Sequence, residues 1–210
     1  MGIQERRQRE KEARRQSVLD AARTMVLERG FNGTTTKSIA ERCELSEATL
    51  FHYFRNKDEI LLSLLFEGIA YTADLLDRII AADLPPEERL IRVWKTYDLI
   101  IREHPEYVHM FGYLARPQAT MNISAEVKSE IAGASGDNFR RLATILKGVV
   151  TDGEERIAAD LLWGAFIGLR TLRETRQNLG ASALPRAREM GRVFEMLAAG
   201  LRTGPSEGRE

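Results

Sequence analysis

The chain has 210 residues, 43% hydrophobic and 30% charged, which describes an ordinary globular protein of one or two domains with enough apolar material for a real core. Thirty-one basic residues balance 31 acidic ones, so net charge alone argues neither for nor against a nucleic-acid partner. The lone Cys43 excludes an internal disulfide, and the longest apolar runs, such as residues 61–66, are too short to cross a bilayer. With no apolar signal region behind the Arg- and Glu-rich start, a cytoplasmic protein without membrane contact is expected.

The first predicted helix runs from Arg15 to Arg29, where apolar residues at Val18, Ala21, Ala22, Met25 and Val26 form one stripe. Gly30 ends it, since glycine takes the left-handed position that closes a helix at little cost. Thr35 then caps a short second helix with Ile39, Ala40 and Cys43 turned inward. The stretch LSEATLFHYF, residues 45–54, opens a third helix of about nine residues at Ser46, with Leu45 stapled onto Leu50. Leu50 and Phe54 share one face of it, whereas Ala48, Thr49 and His52 point the other way and Phe51 and Tyr53 flank them. That outer surface needs a partner.

Only Cys43, Glu44 and Leu45 separate the second helix from the third, which is helix-turn-helix spacing. In such a pair the second helix enters a major groove of duplex DNA, and the chemistry suits it. Ser46 and the free N–H groups behind it favour a phosphate, Thr49 and Phe51 can meet thymine methyl groups, and His52 and Tyr53 can donate to phosphate oxygens. The charge is distributed accordingly: residues 1–57 carry 12 Lys or Arg against 8 Asp or Glu, and the remainder 19 against 23.

Residues 15–61 resemble the DNA-binding region of the tetracycline-repressor (TetR) family of bacterial transcription regulators. The resemblance rests on a helix ending in Gly30-Phe31, a Thr-Thr-x-x-x-Ile-Ala helix, Ser46 at the start of the third helix, its Leu-aromatic-x-Tyr-Phe ending, and Lys57 opening a long fourth helix. It covers about a quarter of the chain; the rest is similar to the family only in helical layout and size. The resemblance implies an all-α fold, with a three-helix helix-turn-helix DNA-binding domain followed by a helical ligand-binding and dimerisation domain. It also implies phosphate contacts from Thr36, Lys37, Ser46, Tyr53 and Lys57, and base or groove contacts from Glu47, Ala48, Thr49, Phe51 and His52. Two residues depart from the family pattern. Glu47 stands where a basic residue is common, and it repels phosphate unless it accepts from a cytosine amino group. Glu44 replaces a turn glycine, so the turn either avoids positive φ or stores about 1 kcal/mol of strain. Several of these residues also have purely structural uses: Thr36 and Ser46 cap helices, Glu47 complements the helix dipole, and Tyr53 can fill a gap against the fourth helix.

Residues 1–14 are read as a flexible basic arm. The stretch ERRQREKEARRQ, residues 5–16, holds six basic and three acidic residues. In some family members such an arm reaches a neighbouring minor groove; the alternative is a solvated end whose charges pair with one another at i, i+4. The DNA-binding domain then spans 15–60, the effector-binding and dimerisation domain 61–203, and a disordered tail 204–210.

Further helices are predicted at 58–82, 87–103, 105–116, 123–149, 154–178 and 184–202, divided by Pro85-Pro86, His104-Pro105, Arg116-Pro117, Thr151-Asp152-Gly153 and Leu179-Gly180. LLWGAFIGLRTL is apolar nearly all round, with Gly164 and Gly168 one turn apart, and a later stripe holds Met190, Phe194, Leu197 and Leu201. A helix apolar on every side must be covered on every side, and a second copy of the chain does so most simply, giving a homodimer. Aromatic and thioether residues of the middle helices suggest a small-molecule effector pocket lined by Trp94, Tyr97, Met110, Phe111, Phe139 and Trp163, set against the plainer reading that these are core.

No Gly-rich phosphate loop, HExxH or G-x-S-x-G occurs, and Glu106 and His109 at i, i+3 lack the companions a di-iron bundle needs, so no enzyme, metal or cofactor is expected. The expected function is a ligand-responsive repressor, released by an apolar or aromatic effector from a pseudo-palindromic operator on double-stranded DNA. The alternative is an architectural or division-linked DNA-binding protein of the same fold without an effector.

Overall fold

The structure, a computed structural model, describes residues 2–114, 123–181 and 186–203. Among the described residues the chain is all-helical and forms no strand. The helices are α1 (Ile3–Gly33), α2 (Thr36–Arg42), α3 (Glu47–Leu50), α4 (Lys57–Ala81), α5 (Pro86–Glu103), α6 (Pro105–Leu114), α7 (Ala125–Leu146), α8 (Glu155–Asn178) and α9 (Arg186–Thr203). The readings at 204–210 and at Arg116-Pro117 lie outside the described residues.

Two helices differ from the sequence expectation. The first begins at Ile3 instead of Arg15, because the twelve intervening residues are mostly good helix formers supported by an Arg6–Glu10 pair at 2.8 Å and by Glu5, which accepts from the Gly2 N–H at 2.9 Å. Gly30 breaks it as anticipated, at φ 66° and ψ −179°. The third helix is only four residues long. Beyond Leu50 the chain tightens into i to i+3 turns, in which the His52 and Tyr53 amides donate to the carbonyls of Thr49 and Leu50. Two anchors stop its propagation: the Tyr53 carbonyl accepts from Arg15 Nη1 at 2.8 Å, and the ring of Phe54 is fully buried.

Met1–Ala70 with Ile101–Ile131 form one compact unit, and Tyr71–Ile100 with Ala132–Glu210 the other. In the first, α1 packs on α2 and α6, and α2 on α3. Val18, Ala22, Ile39, Leu50, Ile60 and Leu64 are sealed from solvent, and each large aliphatic among them contributes about 1.5–3 kcal/mol. Helix α6 seats closely on α4 through Gly68, where a Cβ would lie 2.7 Å from the Tyr107 ring.

In the second unit, α5, α8 and α9 meet through aromatic rings: Tyr97 and Phe166 are 4.8 Å apart, Trp94 and Phe194 5.6 Å. Burial pushes the Tyr97 phenol far above its usual pKa. An Arg141–Asp77 ion pair at 2.8 Å ties α7 to the end of α4, and Glu189 of α9 receives Arg173 and Arg176 of α8.

Candidate nucleic-acid interface

The short α2–α3 pair is specified by its caps. Thr35 accepts from the Ser38 amide at 3.1 Å while Ser38 Oγ accepts from the Thr35 amide at 3.0 Å, a reciprocal box that fixes the start of α2. Ser46 Oγ accepts from the Thr49 amide at 3.0 Å and so fixes the start of α3. Between them Glu44 sits at φ 55°, so the turn takes the left-handed conformation without a glycine. Beneath, Leu50 and Phe54 are buried, and the Arg15 guanidinium lies 4.1 Å above the Phe54 ring.

The residues expected to meet DNA fall into two sets. Lys37, Ala48, Phe51 and His52 are exposed, Phe51 to 48%, although an aromatic ring on water has no structural use. Tyr53 is half-buried, and its hydroxyl takes no hydrogen bond among the described residues. Others are joined to neighbours. Thr36 Oγ1 donates to Glu47 Oε1 at 2.6 Å, Ser46 and Thr49 share a hydroxyl contact at 2.8 Å, and Lys57 Nζ donates to the Phe31 carbonyl at 3.2 Å. Lys57 thus closes the broken end of α1 with one of its three donors. Half-buried Cys43 at the end of α2 gives a 3.5 Å contact to the Ser17 carbonyl, and burial pushes its thiol above the usual value, which disfavours a reactive thiolate.

Sequence reasoning missed the polar cluster behind this surface. Arg23 of α1 reaches Asp20 at 2.6 Å, Glu67 of α4 at 2.8 Å and Glu106 of α6 at 2.8 Å, and Glu106 is only 1% exposed. The Nε–H of Arg23 is not aimed at Glu106, so charge and not a hydrogen bond joins them. Burial works against the guanidinium's charge, yet Asp20, Tyr107, Glu106 and Glu67 together hold its pKa above the ordinary value. Burial likewise raises Glu67, with Arg23 opposing. His104 Nδ1 lies 3.2 Å from Glu106 and its ring stacks on Tyr107. Spacing alone gave no sign of this, because the partners lie on three helices far apart in sequence.

Residues 18–64 match the family of bacterial regulatory proteins, tetR family. Over these residues the chain is similar to the TetR family. The regulator YvkB of Bacillus subtilis is 38% identical over 61 residues, 29% of this chain and about a third of that protein's length, at 32%. The TetR fold extends through the body: the fatty acid degradation regulator FadR of Bacillus halodurans superposes with a TM-score of 0.70 at 18% identity over 90% of this chain and 96% of its own. AibR, solved with isovaleryl coenzyme A and operator DNA, gives 0.63 at 20% identity, covering 90% and 96%.

The residues assigned to effector and dimer are distributed as follows. Trp94, Tyr97 and Trp163 do meet, around Phe166 in the second unit, with Tyr97 and Trp163 5.3 Å apart. Phe139 lies beneath Arg156 at 4.9 Å, while Met110, buried, and Phe111, half-buried, belong to the first unit. Among the dimer residues, Phe194 packs on Trp94 within the second unit, and Met190, Leu197 and Leu201 are half-buried. A Cβ placed at Gly164 or Gly168 would meet nothing within 4 Å. These glycines share an outward line of α8 with Ile157, Leu161 and Leu172, and Ile157 is 70% exposed. The signal for that line was their spacing of four, three, four and four residues.

Proposed function

We propose that the chain is a dimeric, ligand-responsive transcription regulator whose α2–α3 head, within residues 15–60, reads a pseudo-palindromic operator. In this reading residues 61–203 bind the effector and the second copy, and effector binding releases the DNA as in a repressor. The observation that carries it is the surface at the end of α3: Phe51 and His52 exposed, with an unengaged Tyr53 hydroxyl beside them, on a helix pair whose caps and core are already complete without them. A surface of that composition has a use only against a partner, and helix-turn-helix geometry offers the major groove. Lys37 and Tyr53 would hold phosphates. Thr36, Ser46 and Lys57 would do so with donor capacity left over from their internal bonds, and Ala48, Thr49, Phe51 and His52 would line the groove. Glu47, tied to Thr36, would face the bases as an acceptor.

The effector would be apolar or ring-bearing, since Trp94, Tyr97 and Trp163 give α5 and α8 an aromatic wall in the second unit. The buried Ser135 hydroxyl of α7, without a hydrogen-bond partner among the described residues, is a polar group such a ligand could satisfy. Because AibR was solved with an acyl-coenzyme A, a panel of acyl-coenzyme A thioesters is the first set of probes.

The test is binding to the promoter region beside the protein's own coding sequence, compared with random duplex of equal length, together with genome-wide mapping of bound sites. Preference for one or a few two-fold sites supports the reading; equal affinity for every duplex with no favoured site defeats it. Tyr53→Phe should lower operator affinity by about tenfold while leaving helix content unchanged, the worth of one hydrogen bond to a charged oxygen. Unaltered affinity would remove Tyr53 from the interface.

A further inference from the structure

Two hydroxyls of the second unit are left over by its packing. The Tyr97 side chain on α5 is 2% exposed, yet its phenol makes no hydrogen bond among the described residues. The Ser135 Oγ of α7 is buried and also without a partner among them. Buried hydroxyls are nearly always satisfied, and leaving one unmade costs more than the bond contributes when it forms. Both groups are donors that still need an acceptor.

The two lie along one aromatic wall. Tyr97 is part of it, with its ring 5.3 Å from that of Trp163 and 4.8 Å from that of Phe166. Ser135 joins it through the pairing of α7 with α8. Phe139 stands one turn after Ser135 on the same side of α7 and lies beneath Arg156, which shares a side of α8 with Trp163 two turns further on. Because Phe139 and Arg156 meet across the connection 147–154, the helices run antiparallel, and the steps from Phe139 to Ser135 and from Arg156 to Trp163 go the same way. Ser135 therefore lies on the side of α7 turned towards Trp163.

The surroundings suit a neutral partner. Burial alone acts on the Tyr97 phenol and pushes its pKa far up, with no charged group opposing it, so the phenol stays protonated and donates. The cations along this side of α8 are engaged: Arg170, one turn past Phe166, holds Glu174 at 2.7 Å, and Arg156 lies 3.4 Å from Asp160. A carboxylate brought to these hydroxyls would be a buried charge without a counter-ion, whereas a carbonyl oxygen offers two lone pairs and carries no charge to desolvate.

We propose that the effector is a neutral carbonyl compound, an ester, thioester, amide or ketone on an apolar or aromatic body, whose carbonyl oxygen accepts from Tyr97 and Ser135 while its body lies against Trp94, Trp163 and Phe166. The proposal rests on the effector reading above and adds to it the chemistry of the ligand's polar group.

The experiment uses the full chain and four probes of matched body: benzylacetone, methyl phenylbutyrate, phenylbutyric acid and butylbenzene. Both tryptophans of the chain, Trp94 and Trp163, stand in the wall, so their fluorescence reports binding there, and calorimetry gives the affinities independently. At neutral pH the ketone and the ester should bind about tenfold more tightly than the hydrocarbon, and more tightly still than the ionised acid. Tyr97→Phe and Ser135→Ala should each weaken the ketone and the ester by about five- to tenfold and leave butylbenzene unchanged, a split that a merely structural role would not produce. Without probe, Tyr97→Phe should melt no lower than wild type, since the hydroxyl it removes bonds to nothing among the described residues. An acid that binds as tightly as its ester overturns the neutral class. If butylbenzene matches the ketone and ester, or if both variants keep full affinity for them, the carbonyl contact is overturned while an apolar effector site stands. If none of the four probes binds, the effector site in this unit falls with it, and operator recognition is untouched.

Discussion

Glu44 holds φ at 55° in the turn between α2 and α3, a conformation that costs a residue with a side chain about 1–2 kcal/mol and glycine almost nothing. The sequence exposed the conflict, because three residues between two caps leave little room for another turn. It could not say whether the backbone would avoid the left-handed region or accept it, since that depends on where the Leu45 amide must go. It donates to the Ala40 carbonyl at 2.9 Å, closing the end of α2 through the strained residue. Glu44→Gly should therefore raise stability by about 0.5–1 kcal/mol, the strain relieved less the extra freedom glycine brings to the unfolded chain, or roughly 2 °C in Tm. A lower Tm in thermal unfolding would show that the turn is not strained. The bond between Thr36 and Glu47 was hidden for a different reason. The family resemblance places both against DNA, and nothing in an eleven-residue separation signals that one side chain meets the other.

Elements were legible where local chemistry decides them. The stripe of Val18, Ala22 and Met25, the break at Gly30, the caps at Thr35 and Ser46 and the Pro85-Pro86 stop each placed a boundary. Length was less legible where distant contacts decide it: α3 ends at Leu50 because Arg15, 38 residues before Tyr53, takes a carbonyl at the helix end. What holds the elements of the first unit together was not legible either. Arg23 joins α1 to Glu67 on α4 and to Glu106 on α6, and Glu106 has almost no access to water. Arg23→Gln leaves that carboxylate without its cation and should cost about 3 kcal/mol, a fall in Tm of roughly 6–12 °C. The double variant Arg23→Gln/Glu106→Gln leaves no buried charge without a partner, so it should recover part of the loss. If thermal unfolding finds the double no more stable than the single, burial of the Glu106 charge is not the source of the cost.

At the scale of the whole molecule, the sequence marked α8 as apolar on nearly every side but could not tell which face would close the second unit and which would remain outward. Periodicity describes faces; only packing assigns them. Phe166 and Phe194 turned inward to meet Trp94, while Ile157, Leu161, Gly164, Gly168 and Leu172 remained on one outward line of α8, and Met196 of α9 is 68% exposed. A continuous apolar line of four turns is costly in water, and the two glycines allow another helix to approach closely, so the surface suits association with its own image across a two-fold axis. Leu161→Glu/Leu172→Glu buries two charges in such an interface. Sedimentation at micromolar concentration should then shift from about twice the chain mass to the 23.8 kDa of one chain, with helix content retained. Ile91→Glu, at an exposed apolar position on α5, should leave the dimer intact. The consequence for DNA follows from linkage. Two heads held together engage the second half-site at high effective concentration, whereas separate heads must each bind alone, so the monomeric variant should lose operator affinity by a hundredfold or more while a single half-site duplex binds about as before. A variant that stays dimeric, or a monomer that keeps full operator affinity, would place the second copy on some other surface.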